Sequence, residues 1–192
     1  MVLASASPRR AELLRQVGIA FEIIISDAAE DAWEPEAAPA AIAVEHARRK
    51  ALVISARMPR RLVLGADTVV VLDGHVLGKP QDEEDAARML KALSGRSHDV
   101  ITGVALALDA GSGAAVVDEA HAVTEVVFRE LSDEEVHQYV LTGEPMDKAG
   151  AYGIQGCGAL LVREIKGCYS NVVGLPLSRT WEMLRAAWDD RI

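Results

Sequence analysis

Aromatic residues are scarce in this chain of 192 residues, where three Trp, three Tyr and two Phe make up 4% of the sequence. A platform that binds single-stranded nucleic acid by base stacking needs several exposed rings, so none is expected. Positive charge is also in deficit, because 20 Lys and Arg against 29 Asp and Glu leave a net charge of −9. Binding to a long nucleic-acid polymer is therefore not expected, although a local basic pocket stays open.

Cysteine occurs only as Cys157 and Cys168, at a spacing that fits neither a C-x-x-C redox motif nor a zinc site. The sequence has no run of about 18 apolar residues, the length that a membrane-spanning helix needs. Its first residues lack the apolar stretch of a secretory signal. We expect a cytoplasmic protein with no membrane partner.

Hydrophobic residues form 50% of the chain and charged residues 26%, which is enough apolar material for a buried core. The length fits a single domain over residues 1–192, or two small lobes that share a core.

Predicted strands and helices alternate, but hairpins interrupt the alternation. The Asp73–Gly74 pair is a strong hairpin signal, and Ser132 with Glu135 forms a capping box. Apolar stripes indicate a first helix after Pro8 that includes Val17, and a last helix with Trp181 and Trp188 in the core. Strands are predicted at residues 2–4, 21–25, 61–71, 75–77, 99–108, 114–128 and 160–165, and helices at 39–56, 82–93 and 132–141. This mixture indicates an α/β or α+β domain with a mixed sheet.

The first candidate site is residues 5–10, Ser-Ala-Ser-Pro-Arg-Arg, where a strand turns into a helix. Backbone N–H groups at a helix N-terminus bind phosphate well, and Arg9 and Arg10 add two guanidinium groups. The alternative is an ordinary helix start, capped by Ser7, with solvated arginines.

The second candidate is Asp67, a single carboxylate within the apolar segment 64–71. An unpaired charge is costly to bury, so Asp67 needs a partner or a metal. Lys79 follows after the predicted hairpin and could pair with Asp67 or with a phosphate. Alternatively, Asp67 only accepts backbone N–H bonds at a strand end.

The third candidate is the glycine-rich segment 143–156, in which Asp147, Lys148 and Gln155 supply polar groups. Glycine allows close backbone approach, so a pocket for a nucleobase is plausible; a merely tight loop is the alternative. The segment matches neither a P-loop nor a dinucleotide fingerprint. The five histidines show no ligand spacing, and most are expected at the surface.

Six motifs in order resemble the Maf family of nucleoside triphosphate pyrophosphatases, from Leu3 to about Trp188. They are residues 5–10, 65–70 (Gly-Ala-Asp-Thr-Val-Val), 77–80 (Leu-Gly-Lys-Pro), 93–96 (Leu-Ser-Gly-Arg), 147–156 (Asp-Lys-Ala-Gly-Ala-Tyr-Gly-Ile-Gln-Gly) and 171–176 (Asn-Val-Val-Gly-Leu-Pro). The resemblance implies a fold like that of inosine triphosphate pyrophosphatases: a mixed, elongated sheet with two lobes and a central cleft. It also suggests a homodimer.

The resemblance further implies cleavage of a nucleoside triphosphate to the monophosphate and pyrophosphate, with Mg²⁺ or Mn²⁺. Asp67 matches the family's proposed general base, and Glu30 best matches an acidic residue that assists the metal or the water. Asp27 and Asp31 are alternatives for that acidic residue, and Glu30 and Asp67 are the expected metal ligands. The implied phosphate-binding residues are Ser5, Arg9, Arg10, Lys50 and Lys79.

Arg9, Thr68 and Gln155 resemble the branch of the family that acts on dTTP and UTP, with modified pyrimidine nucleotides as further candidates. The Gln155 amide has a donor and an acceptor, which complement the O4 and N3–H of thymine or uracil. Arg49 departs from the family, which more often has glutamate there. Two other classes stay open: a nucleotide-sensing regulator of cell division or septum formation, and a nucleotidyltransferase.

Overall fold

The computed structural model describes residues 1–28 and 37–189. The strands within these residues are β1 (Val2–Ala4), β2 (Glu22–Ile23), β3 (Val63–Leu72), β4 (His75–Leu77), β5 (Ser97–Asp109), β6 (Ala114–Phe128) and β7 (Val162–Lys166). The α-helices are α1 (Pro8–Gln16), α2 (Pro39–Arg57), α3 (Glu83–Leu93), α4 (Asp133–Leu141), α5 (Tyr169–Val173) and α6 (Leu177–Asp189). Short 3₁₀ turns lie at Glu144–Asp147, Ala149–Ala151 and Gly156–Leu160.

The seven strands form one mixed sheet in the order β2-β1-β3-β5-β6-β7, with β4 paired to β3. β1 is parallel to both β2 and β3, whereas β4 is antiparallel to β3 and β7 is antiparallel to β6. The turn from β3 to β4 places Asp73 and Gly74 at φ 51° and 80°, as a two-residue hairpin turn requires. The α/β class with a mixed sheet is confirmed.

The chain divides into two compact units, and the first comprises Met1–Asp67, Thr102–Ala122 and Gly174–Ile192. Its core has small side chains where α2 meets the strands. A Cβ on Gly65 of β3 would lie 2.1 Å from the Ala47 carbonyl oxygen, and one on Gly103 of β5 would lie 2.3 Å from that of Ala43. The two glycines therefore allow α2 to pack directly on the sheet.

The second unit comprises Thr68–Ile101 and Val123–Val173. The side chains of α3, α4 and the adjoining strands form its core, in which His98, Phe128 and Tyr152 pack edge to face with ring centroids 4.7–5.3 Å apart. The predicted capping box is present: Ser132 accepts the Glu135 N–H, and Glu135 accepts the Ser132 N–H.

Two expectations about local burial are wrong. Val17 lies just beyond α1 and is half exposed, because the helix ends at Gln16. The Trp181 and Trp188 rings pack edge to face with centroids 5.8 Å apart, but 45% and 36% of their surfaces are exposed, while Met183 and Leu184 lie on the buried face of α6. The expectation that most histidines lie at the surface is confirmed, since His75, His121 and His137 are exposed, while His46 and His98 are buried. Across the described ranges 1–28 and 37–189, no helix has the length and apolarity needed to cross a membrane.

Candidate active site

Asp67 lies on β3, two residues after Gly65, so both residues face the same side of the strand. Because α2 packs directly on Gly65, the helix brings side chains to Asp67 from that side. His46 and Lys50 are four residues apart on α2 and therefore lie on one helix face. Strand and helix together fix three polar groups in a buried place.

The Asp67 carboxylate is held at both oxygens. Lys50 Nζ donates to Oδ1 at 2.6 Å, and His46 Nδ1 lies 3.1 Å from Oδ2. An ionised carboxylate only accepts hydrogen bonds, so the hydrogen of the His46 ring sits on Nδ1. Only 14% of the Asp67 side chain is exposed, and 8% of that of Lys50.

Burial alone would raise the pKa of Asp67. The hydrogen bond from His46, the charges of Lys50 and Arg10, and the hydrogen bond from Lys50 outweigh burial and lower the pKa to about 2. Asp67 is thus ionised at neutral pH. The predicted need for a partner is met by cations within the first unit.

Arg10 is a buried cation at the start of α1. Its Nε donates to the Gly174 carbonyl at 2.7 Å, and its Nη1 donates to Ser5 Oγ at 3.1 Å. Ser5 Oγ also accepts the Ser7 N–H at 3.2 Å, so the hydroxyl hydrogen of Ser5 remains as a donor. Ser7 occupies the N-cap position, but its side chain makes no capping hydrogen bond, contrary to expectation. Arg9 is half-buried beside Arg10.

Three other site candidates belong to the second unit. Thr68 follows Asp67 on β3 and is half-buried, Lys79 is exposed between β4 and α3, and Gln155 is exposed between two 3₁₀ turns. The structure thus brings Ser5, Arg10, Lys50 and Asp67 into one unit. Thr68, Lys79 and Gln155 lie in the other.

Glu144 fixes the loop that carries Gln155. Its carboxylate accepts the Tyr139 hydroxyl at 2.9 Å and the N–H groups of Cys157 and Gly158 at 3.0 and 3.1 Å. Tyr139 Oη also accepts the Gly153 N–H at 3.2 Å. The loop is therefore tied on both sides of Gln155, a role of Glu144 that the sequence analysis did not assign.

The described residues do not include the acidic residue that was expected to assist the metal or the water. Glu30 and Asp31 lie outside the described residues. The alternative, Asp27, is exposed and accepts two hydrogen bonds from Arg57 at 3.0 Å. Within residues 1–28 and 37–189, no group of three or more His, Cys, Asp or Glu is arranged to hold a metal ion.

The chemistry of the Asp67 cluster bears on the expected divalent cation. Asp67 is the one carboxylate in the cluster of Ser5, Arg10, His46, Lys50 and Asp67, and both of its oxygens contact nitrogen donors. Mg²⁺ is commonly bound by one or two carboxylates together with substrate phosphates. Among the described residues the cluster thus offers one carboxylate, which fits a cation that it shares with a triphosphate.

His46 is the site residue that the sequence analysis missed. It was grouped with surface histidines because it has no metal-ligand spacing. Its position four residues before Lys50 on a predicted helix was an available signal, since such residues share a face. Only the packing of α2 on Gly65 shows that this face meets Asp67.

A family model described as Maf-like protein matches residues 1–187 of this sequence. The chain belongs to the Maf family. Curated relatives from Symbiobacterium thermophilum, Ruminiclostridium cellulolyticum and Geobacter metallireducens, each named dTTP/UTP pyrophosphatase, are 55%, 49% and 52% identical to this Maf-family chain. Each alignment covers 96% of this chain, and 92%, 94% and 94% of the respective relative. The expected family is confirmed.

Among solved structures, a HAM1 protein from Coxiella burnetii is similar over 66% of this Maf-family chain and 71% of its own, with 20% identity and a TM-score of 0.44. That score is too low for the similarity to support a comparison of the two folds.

Proposed function

We propose that this Maf-family protein hydrolyses nucleoside triphosphates, dTTP and UTP foremost, to the monophosphate and pyrophosphate, and so clears unwanted nucleotides from the pool. Relatives that are named for this activity align along nearly the whole chain, at 49–55% identity. The observation that carries the proposal is the buried cluster in which one ionised carboxylate, Asp67, lies among Lys50, Arg10 and His46.

The cations of this cluster suit a polyphosphate. Lys50 and Arg10 place two positive charges beside the Asp67 carboxylate, and both groups also attract phosphate oxygens. The Ser5 hydroxyl, already accepting two hydrogen bonds, donates to a phosphate oxygen. Arg9 and Lys79 are likewise assigned to bind phosphate oxygens. Such fixed donors stabilise the negative charge that develops on the leaving pyrophosphate.

Asp67 is assigned to orient the attacking water and to accept its proton at a carboxylate oxygen. With a pKa of about 2 it is a poor base in the unliganded protein. Phosphate that competes for Lys50 and Arg10 removes part of the attraction that keeps the pKa low, so substrate binding strengthens the base. The cluster thus links nucleotide binding to proton acceptance.

A divalent cation, Mg²⁺ or Mn²⁺, is part of the proposal as a companion of the triphosphate. When bound, it screens phosphate charge and makes a coordinated water more acidic. Asp67 is its candidate protein ligand among the described residues, and Glu30 is the candidate outside them.

Gln155 is proposed to read the nucleobase, because its amide can meet the acceptor and the donor of a thymine or uracil edge. The hydrogen bonds that Glu144 accepts from the N–H groups of Cys157 and Gly158 hold its loop in place. Thr68 is assigned to the same nucleotide.

The proposed location is the cytoplasm, because an enzyme of this kind works where the nucleotide pool lies. The homodimer stays a prediction, which sedimentation equilibrium would test.

The test is pyrophosphate release from dTTP, UTP, CTP, GTP and methylated GTP with Mg²⁺ or Mn²⁺, for wild type and Gln155→Glu. We expect rapid cleavage of dTTP and UTP by wild type, at least tenfold faster than of the other nucleotides. Gln155→Glu should lose that preference, because glutamate has no amide donor. Nucleotide binding without any pyrophosphate release would contradict hydrolysis and favour the nucleotide sensor.

A further inference from the structure

We infer that His46 is a positioning residue for hydrolysis, which holds the Asp67 carboxylate at Oδ2 in the orientation that attack by water requires. The inference rests on the proposed role of Asp67. It concerns a side chain that lies outside all six motifs of the family resemblance.

Two contacts fix the plane of the Asp67 carboxylate. Lys50 holds Oδ1 and His46 holds Oδ2, so the group cannot turn about its Cβ–Cγ bond without breaking one contact. A lysine ammonium has three rotatable donors on a flexible stem, and so restrains direction weakly. The imidazole of His46 is planar and 3% exposed, so its Nδ1–H points in one direction.

The contact with Lys50 is also the one that substrate would weaken, because an ammonium attracts phosphate. His46 Nδ1–H would then be the contact that keeps Asp67 oriented. The ring is fixed to a rigid element, since α2 packs directly on β3 at Gly65. A helix mounted in this way can hold a reacting group within the narrow tolerance that catalysis needs.

A structural role and a positioning role of His46 predict different results when the residue is replaced. A histidine that only filled space in the core of the first unit could be replaced by leucine at some cost in stability and none in turnover. A histidine that positions Asp67 must supply a hydrogen-bond donor at the place of Nδ1. The need for a hydrogen-bond donor at the place of Nδ1 can be tested with amide side chains of two lengths.

The experiment compares His46→Asn, His46→Gln and His46→Leu in the full-length protein with dTTP and Mg²⁺. An Asn amide nitrogen can take the place of Nδ1, whereas that of Gln falls near Nε2. We expect kcat to fall about ten- to a hundredfold in His46→Leu and His46→Gln, with KM within about threefold of wild type. His46→Asn should recover most of kcat, and thermal unfolding reports the folding of each variant. His137→Asn, at an exposed histidine on α4, is the matched control and should behave as wild type.

Three results would overturn the inference: unchanged kcat in His46→Leu, equal kcat in the Asn and Gln variants, or a loss confined to KM. If His46→Leu fails to fold, the Asn and Gln pair still decides. NMR of ¹⁵N-labelled histidine gives a second readout and should show the proton of His46 on Nδ1; a proton on Nε2 alone would contradict the geometry. Failure of the proposed function is distinguishable, because wild type would then release no pyrophosphate, whatever residue stands at 46.

Discussion

Each of the two units buries titratable side chains, but the first unit buries a charged carboxylate and the second buries neutral groups. In the first unit Asp67 is buried and charged, with a pKa lowered to about 2 by His46, Lys50 and Arg10 against the effect of burial. In the second unit burial lowers the pKa of His98 to about 4 and raises that of Tyr152, so both side chains are neutral at pH 7.

The two clusters differ in the groups that contact the buried titratable side chains. His98 Nε2 and the Tyr152 hydroxyl contact each other at 2.7 Å beside Phe128, so these two neutral atoms satisfy each other. Asp67 faces two cations and a ring N–H instead. Buried charge is costly unless it is paired, so a fold that retains it usually uses it. The charged cluster is therefore the proposed site for binding a polyanion and activating water, whereas the aromatic cluster belongs to the core of the second unit.

The largest effect on stability is expected when the charged cluster is broken. Lys50→Met leaves the buried Asp67 carboxylate without its nearest cation, so we expect a loss of about 3–4 kcal/mol in the free energy of unfolding. Urea denaturation at pH 7 measures it. Lys91→Met is the matched control, because Lys91 also contacts an aspartate, Asp133, at 2.6 Å, but both side chains are exposed. Equal losses in the two variants would show that burial of the Lys50–Asp67 pair is unimportant.

The aromatic cluster of His98, Phe128 and Tyr152 should make the free energy of unfolding sensitive to acid. The pKa of His98 is about 4 in the folded protein, against 6.5 for an ordinary histidine. Between these values the unfolded chain takes up the proton and the folded protein does not, so stability falls as pH drops from 6.5 to 4, by about 3 kcal/mol from this residue. His98→Gln keeps an amide near Nε2 for Tyr152 but cannot titrate. Urea denaturation across pH 4–7 should be flatter for that variant; parallel curves would contradict the prediction.

A smaller effect is expected at Glu144, the carboxylate that holds the loop carrying Gln155 in the second unit. Glu144→Gln replaces a charged acceptor of two backbone N–H groups by an amide with a single acceptor oxygen. We expect about 1–2 kcal/mol lower stability and a raised KM for dTTP, because the loop that carries Gln155 loosens. Thermal unfolding and initial-rate kinetics measure the two effects. Glu134→Gln, at an exposed residue bonded to Gln138, should change neither; a similar change there would refute the special role of Glu144.

Local signals in the sequence were sufficient for much of the fold. The Asp73–Gly74 turn and the Ser132–Glu135 capping box depend on residues close in the chain, and both are present as predicted. The burial of Asp67 also follows from its apolar strand. These features need no knowledge of distant neighbours.

Features that depend on packing between distant segments were missed. Nothing near Gly65 or Gly103 in sequence shows that α2 crosses both strands there, and so nothing indicated that His46 would meet Asp67. Likewise, the periodicity of α6 favoured burial of Trp181 and Trp188, whereas both are exposed and Met183 is buried. Sequence patterns predict which face of a helix or strand is apolar, but the segment that packs against that face is determined by the whole fold.

The most direct measurement compares Asp67→Asn with wild type in two assays, pyrophosphate release from dTTP with Mg²⁺ and equilibrium binding of dTTP. The proposal predicts that kcat falls by about two orders of magnitude or more, because the amide cannot accept the proton of the attacking water. It also predicts that binding is retained or tightened, since Lys50 and Arg10 lose their negative partner. Turnover close to that of wild type in Asp67→Asn would contradict the assignment of Asp67 as the base.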